Sequence, residues 1–409
     1  MSEKALSIVG MVFVTSYVAR YIGPTLFGRL ALATALFQVI QTISQYGSDN
    51  IVFRRVSRNE RSGRRLMRST VKLRMITYWV LAAPVLVYFC WSADPLTRAF
   101  FVSVAVACFF AAIDVISIYN NAILKSKLNA MLNALGLSFS LAIRFAIVKL
   151  GMSAAWLSVP IVLTTLIPYL LRRALHRKSL GYVAPARNER PYVAYTLRAG
   201  SALVVSSISI AIYVRVGQYV VGGQLGESAL GVYAAGANLA TTWSFVLSAL
   251  ITSFFPAIYA CSDEASALRQ AARLGRLIIA ISLPVILGYI IFGKFLIVAL
   301  YGEKYAAAYY PSVVLASSVM FSSLGTLSYR FMVRTSGYRY LSLKMLVVLV
   351  LSIPVTWTFV SRMGMVGAAW AVLVTEISSL TLLNYFYRSG VVAKLHFGIF
   401  KGKCFEKAN

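Results

Sequence analysis

Apolar stretches long enough to cross a bilayer as helices recur twelve times along the chain. They fall at about 5–21, 29–52, 75–93, 98–121, 130–148, 154–171, 199–221, 230–259, 277–299, 308–329, 341–360 and 366–387. None alternates apolar and polar residues with a period of two, and all are too long for barrel strands, so a β-barrel is excluded. Prolines inside the stretches, such as Pro84, Pro160, Pro256, Pro284 and Pro354, fit helices. In a bundle, neighbouring helices and Ser/Thr side chains satisfy the carbonyls that a proline frees. The pattern predicts an all-α integral membrane protein of about twelve transmembrane helices. Lys4 and the apolar run from Ala5 to Ala19 lack a small-residue cleavage site and are expected to form the first span rather than a signal peptide.

Composition agrees: 59% of the 409 residues are hydrophobic and mean hydropathy is +0.75, yet the formal net charge is +28. The charge is bunched between the apolar runs, and its distribution sets the orientation. With the N-terminus inside, thirty-one of the forty Lys and Arg residues fall on the inner face and two, Arg144 and Arg215, fall within spans. Seven fall outside: Arg20, Arg29, Arg98, Lys149, Lys294, Lys304 and Arg362. The loop from Arg54 to Arg74 holds nine basic residues. Both termini are therefore expected in the cytoplasm, and the charge is a topology signal rather than a nucleic-acid footprint. Attraction of the basic loops to anionic lipid follows as a secondary consequence. The four cysteines show no paired spacing, and the two histidines, His176 and His396, fall in inner segments. Neither a metal site nor a cofactor is expected.

The two halves of the chain resemble each other. Gly23-Pro24-Thr25-Leu26-Phe27-Gly28 before span 2 matches Gly226-Glu227-Ser228-Ala229-Leu230-Gly231 before span 8 in the pattern G-x4-G. Gly151-Met152 before span 6 matches Gly364-Met365 before span 12, and Pro84 in span 3 matches Pro284 in span 9. Six spans per half give like-oriented repeats, an architecture of transporters that bind substrate between lobes near the midplane. The expected organisation is an N-terminal six-helix lobe over 1–178, a linker over 179–198, a second lobe over 199–390 and a cytoplasmic tail over 391–409.

A charge at a helix centre costs about 2.5–3.5 kcal/mol on insertion scales, so Asp114, Arg144, Arg215 and Glu376 are the candidate functional residues. At 100° per residue, Ser207, Arg215, Gln218, Tyr219 and Gly222 share one face of span 7. Asn129, Asn133, Ser140 and Arg144 share one face of span 5, and Ser103, Asp114, Ser117 and Asn121 one face of span 4. Arginine forks suit phosphate, so Arg144, Arg215, Gln218 and Tyr219 are candidate substrate-binding residues. Asp114 and Glu376 are candidate coupling-ion carriers. The competing structural reading pairs Asp114 with Arg144, Arg215 with Glu376, and Asp49 with Arg54 or Arg55. Of the many aromatics, Tyr213, Tyr219 and Trp243 are candidates to stack on sugar rings.

Three stretches carry a family resemblance: Ala19-Arg20-Tyr21-Ile22-Gly23-Pro24-Thr25-Leu26-Phe27-Gly28, Tyr301-Gly302-Glu303-Lys304-Tyr305-Ala306-Ala307-Ala308 and Gly364-Met365-Val366-Gly367-Ala368-Ala369-Trp370-Ala371. With them the chain resembles the polysaccharide-transport (O-antigen or lipid-linked oligosaccharide flippase) branch of the MATE-like multidrug/oligosaccharidyl-lipid/polysaccharide exporter superfamily. The resemblance implies a V-shaped two-lobe bundle with a cationic cavity in the bacterial inner membrane. Its implied work is moving an undecaprenyl-pyrophosphate-linked sugar unit to the outer leaflet. The implied partners are that substrate and membrane lipids, with a polysaccharide polymerase and a chain-length regulator as candidates. Lipid II flippases of the superfamily usually have fourteen spans, against twelve here.

Two other functions compete. A multidrug or cation antiporter of the same fold would want exposed acids in its cavity, and the two intramembrane arginines oppose it. A membrane polymerase, ligase or acyltransferase would want a large outer loop or a membrane-facing His. The short outer loops and inner histidines oppose that, so no enzyme is expected.

Overall fold

The computed structural model describes residues 2–180, 204–261, 263–335 and 337–400, and among these there is no strand. Nine helical stretches among them are long and apolar enough to cross a bilayer. The principal helices are α1 (Ser2–Gln45), α2 (Ser48–Arg58), α3 (Glu60–Ser92), α4 (Pro95–Ile113), α5 (Val115–Ala122), α6 (Ser126–Lys149) and α7 (Ser158–Leu180). Then come α8 (204–213), α9 (Val216–Thr242), α10 (Ser244–Ala260), α11 (Glu264–Tyr301), α12 (Tyr309–Arg334), α13 (Tyr338–Leu380), α14 (Leu382–Tyr385) and α15 (Val391–Phe400).

Three of the nine stretches double back. Each contains a glycine whose backbone no α-helix accommodates: Gly23 (φ 79°, ψ 170°), Gly226 (φ 85°, ψ 176°) and Gly364 (φ 60°, ψ −140°). A Cβ on Gly217 would lie 2.9 Å from the Tyr233 hydroxyl, and one on Gly222 would lie 3.1 Å from Leu230 Cδ2. Residues 217 and 233 would stand about 24 Å apart on one straight helix, so the arms of α9 run antiparallel about Gly226. In α13 a Cβ on Gly367 would collide with the Phe359 carbonyl, which places the reversal at Gly364. Val14, Val18, Leu26 and Leu30 of α1 share one apolar cluster about Gly23, and Pro24 opens the second arm, where its missing N–H costs nothing. Counted with these reversals, nine stretches give the twelve crossings that the hydrophobic pattern predicts. Long apolar side chains stand exposed in rows, such as Ile76, Val80, Val87 and Tyr88 on α3 and Ile291 and Phe295 on α11. Exposed apolar surface of that extent suits lipid, not water.

The chain forms two compact units, Met1–Arg215 and Val216–Asn409. Most of the expected linker, 179–198, lies outside the described residues. Within the units the repeat extends to the backbone. Gly23 and Gly226 share nearly the same φ and ψ, and Gly151 (φ 63°) matches Gly364 (φ 60°). Pro84 and Pro284 both lie inside long helices, α3 and α11. One further match escaped the sequence reading. Asn59 caps α3 by accepting from Ser62 N at 3.0 Å, and Asp263 caps α11 by accepting from Ser266 N at 2.8 Å. Both caps precede a glutamate, Glu60 or Glu264, whose charge suits a helix N-terminus.

Several spans are broken part-way. The first arm of the chain's second crossing ends at Tyr46 (φ 50°) and Gly47 (φ 59°), before α2. Asp114 separates α4 from α5. Residues 214–215 separate α8 from α9, and Trp243 separates α9 from α10. The breaks interrupt two expected helix faces: residues 214–215 lie between Ser207 and the group Gln218, Tyr219 and Gly222, and Asp114 lies between Ser103 and the pair Ser117 and Asn121.

The C-terminal tail opens with α15, which at ten residues is too short to span a bilayer. It packs on α11, where a Cβ on Gly275 would meet Ile399 Cδ1 at 2.5 Å. His396 on α15 is buried, with Nε2 3.0 Å from Ser328 Oγ and Nδ1 3.3 Å from the Tyr385 hydroxyl. Burial, aided by the nearby Lys344 charge, pushes its pKa down to about 4.

Two outcomes follow for thermal unfolding of the detergent-solubilised protein. Gly226→Ala should cost about 1–2 kcal/mol, because a Cβ there meets nothing within 4 Å and only the left-handed backbone is penalised. Gly223→Ala, equally open but with ordinary φ, should be neutral or stabilising; equal losses at both would refute the reversal at Gly226. His396 binds its proton more weakly folded than unfolded, so stability should fall as pH drops below about 6.5, by roughly 2 kcal/mol at pH 5. His396→Gln should flatten that dependence.

Candidate functional site

Each unit holds a cluster of polar side chains at the end of its spans nearest the basic loops. In the first unit the centre is Arg74, which is 1% exposed. Its Nε donates to Ser48 Oγ at 3.0 Å, its Nη1 donates to the Ala112 carbonyl at 2.9 Å, and its Nη2 pairs with Asp49. One guanidinium thus joins α2, α3 and α4. Asp114 forms a buried ion pair with Arg172 of α7, and Arg172 Nη2 donates to Asn133 Oδ1 on α6. Below it Asn129 Nδ2 donates to the Ser117 carbonyl at 2.7 Å and to Asn121 Oδ1 at 2.8 Å. Asp114 also caps the break it sits in, where its Oδ1 faces Ser117 N at 3.4 Å.

Two of the expected ion pairs are therefore corrected. Asp49 pairs with Arg74, not with Arg54 or Arg55, and Asp114 pairs with Arg172, not with Arg144. The reason is geometric. Arg74 and Arg172 were counted with the inner loops, but α3 and α7 continue as helices past the apolar stretches and turn these side chains inward.

In the second unit the centre is Lys344, 5% exposed, whose Nζ donates to Asn384 Oδ1 at 2.7 Å. The Glu376 carboxylate acts on it electrostatically. The repeat makes sense of this contact. Asn133 and Lys344 lie 211 positions apart, and Arg172 and Asn384 lie 212 apart, against 213 for Gly151 and Gly364. A cation–amide hydrogen bond therefore joins equivalent spans in both units, with cation and amide exchanged. Lys344 sits only three residues inside span 11, and the sequence reading counted it as a loop residue. Aligning Arg172 with Asn384 was the one signal that could have found it.

The candidate arginines are placed differently. Arg144 lies on α6, half-buried, with its Nε buried and without a hydrogen-bond partner among the described residues. A buried guanidinium nitrogen with no partner is costly, and an anion would satisfy it. Arg215 closes the first unit at the unwound 214–215 step, where its N–H bonds the Ile212 carbonyl at 2.8 Å and its Nη2 donates to Gln38 on α1. Its charge also reaches Cys108. Gln218 and Tyr219, both half-buried, open α9 in the second unit. Trp243 lies in the main apolar core of that unit, and its indole N–H is buried without a partner among the described residues. Tyr213 ends α8. No group of three or more His, Cys, Asp and Glu side chains arranged to hold a metal occurs among the described residues.

Comparison with known proteins agrees with this architecture. The family described as polysaccharide biosynthesis protein matches residues 17–310. No curated protein matches the chain. Among solved structures, the lipid II flippase MurJ in an inward closed conformation aligns with a TM-score of 0.70 at 13% identity, over 97% of this chain and 89% of that one. An inward-facing multidrug resistance MATE family transporter of the MOP superfamily aligns at 0.65 and 13% identity, over 98% and 96%. The Vibrio cholerae MATE transporter VcmN aligns at 0.62 and 12%, over 99% and 98%. At such identities these likenesses establish the fold. The chain is thus a multi-pass membrane protein with the all-α fold of the MATE type, and it belongs to the polysaccharide biosynthesis protein family.

Proposed function

We propose that the protein is a flippase for an undecaprenyl-pyrophosphate-linked oligosaccharide, an O-antigen or other surface-polysaccharide repeat unit, in the bacterial inner membrane with both termini cytoplasmic. The carrying observation is the conjunction of a polysaccharide biosynthesis family with the fold of a lipid II flippase. A family that builds polysaccharide on a lipid carrier must pass a charged headgroup through hydrocarbon, and a repeat-built bundle does this by alternating access. The intramembrane arginines fit that cargo. A pyrophosphate needs cationic forks that stay charged when partly desolvated, and Arg144 has an unsatisfied nitrogen to offer. Arg215, Gln218 and Tyr219 would contribute on the unwound span 7. Of the two acids, Glu376 beside Lys344 is the better coupling candidate, because Asp114 is committed to Arg172 and to a helix cap. A polymerase and a chain-length regulator would act on the product, and the protein itself would perform no covalent step.

The antiporter reading is weaker, since cationic drugs would be repelled by the same arginines. Deleting the protein should leave the lipid-linked unit on the cytoplasmic leaflet and remove surface polysaccharide. Arg144→Glu should lower export about tenfold or more, the loss expected for a charge-assisted contact of 1.5–3 kcal/mol, while Arg144→Lys keeps part of it. Normal export by a stably inserted Arg144→Glu protein would remove that residue from the site. Normal surface polysaccharide in a deletion strain with no second flippase would end the proposal.

A further inference from the structure

The basic loop does more than orient the chain. Asn59 and Asp263 are equivalent caps 204 positions apart, so residues 54–74 and 258–278 are the same hairpin in the two units. The second window carries three basic and two acidic residues, net +1. The first carries nine basic residues and one acid, net +8. The distribution of Lys and Arg along the chain predicts an inner position for both segments, and net +1 is enough for the second. With Arg74 buried against Asp49, topology alone leaves about six positive charges of the first hairpin unexplained.

The structure shows how they are displayed. α2 and the start of α3 form a tight helical hairpin. A Cβ on Gly63 would meet the Val56 Cα at 2.7 Å, and Ile51, Val52, Val56, Leu66 and Met67 bury one side in a common cluster with Tyr119 of α5. The rigid inner side turns Arg54, Arg58, Arg61 and Arg65 outward, all exposed. Glu60, the one acid, is occupied by the Tyr119 hydroxyl at 2.7 Å. Among the arginines stands Phe53, 45% exposed, and Ile76, 65% exposed, marks the start of the lipid-facing row one turn beyond Lys72. Arginines around an exposed aromatic, at the level where a span enters the bilayer, match the headgroup zone. Eight of the nine bases are arginine, whose fork fits phosphate oxygens.

We propose that the α2–α3 hairpin is a docking surface for anionic phospholipid headgroups, which it gathers on the basic face of the membrane around the first unit. The recognised chemistry is the lipid phosphate, held by a charged surface rather than a single pocket. This does not depend on the cargo proposed above.

The test uses the full-length protein reconstituted in bilayers of phosphatidylcholine with a minority of phosphatidylglycerol. Spin-labelled lipids report the relative association of each lipid with the protein. The parent should prefer phosphatidylglycerol by about threefold or more at low salt, given that one basic residue near an anionic surface is worth up to about fivefold. High salt should abolish the preference. Replacing Arg54, Arg58, Arg61 and Arg65 by Gln leaves net +4, above the +1 of the second hairpin, so insertion should persist. The preference should fall towards one. Arg269→Gln with Arg273→Gln should leave it unchanged. A quadruple variant that inserts normally and keeps the preference would overturn the proposal and turn the charge excess towards an acidic protein. Equal loss in the second-unit variant would overturn it as a general loop effect. Displacement of phosphatidylglycerol by excess inorganic pyrophosphate but not by salt would replace the surface by a discrete phosphate pocket.

Discussion

In hydrocarbon a peptide group has no water to turn to, so each backbone N–H and C=O must find a partner inside the protein. This constraint governs where the chain can stop being a helix. Full reversals occur at Gly23, Gly226 and Gly364, between apolar stretches, where the chain meets water and a left-handed φ is free of Cβ strain. At two of the breaks inside spans the missing contacts are supplied by named groups. At Asp114 a carboxylate stands in as cap and an arginine neutralises it. At 214–215 the N–H groups of Val214 and Arg215 still bond the Ile210 and Ile212 carbonyls.

The same economy of partners explains the buried charges. An isolated charge in low dielectric would be neutralised or expelled, and Arg74, Arg172 and Lys344 each hold an acid or an amide oxygen. Arg74 joins α2, α3 and α4, Arg172 joins α6 and α7 to the break at Asp114, and Lys344 joins α13 to α14. They are structural fastenings. Arg144 differs because no hydrogen bond or ion pair holds its guanidinium among the described residues, and this is what makes it the candidate for an anion.

Duplication preserved the backbone more faithfully than the charges. Turn glycines, helix prolines and helix caps recur at constant spacing, because each answers a demand of chain geometry that both units share. Charges are free to diverge once the fold is secured. The cation and amide that join spans 5–6 and 11–12 have changed places, and the two α2–α3-type hairpins differ by seven charges. Function in a repeat protein of this kind is best sought where the halves disagree.

The number of spans, the helical class and the repeat were legible in the sequence, since bilayer thickness fixes span length and left-handed turns demand glycine at Gly23, Gly226 and Gly364. The charged positions inside spans, Asp114, Arg144, Arg215 and Glu376, also stood out, because a charge among apolar residues is conspicuous. Their partners did not. Arg74, Arg172 and Lys344 lie at span edges, where a one-dimensional pattern cannot separate a snorkelling loop cation from one turned inward. Helical spacing likewise gave no sign of the breaks at Asp114 and at residues 214–215, which interrupt the expected faces. Sequence by itself determined what must lie in lipid and where the chain could turn, because both depend on local chemistry. Only the tertiary structure decided which charges meet, because that depends on how helices distant in the chain are packed and rotated against each other.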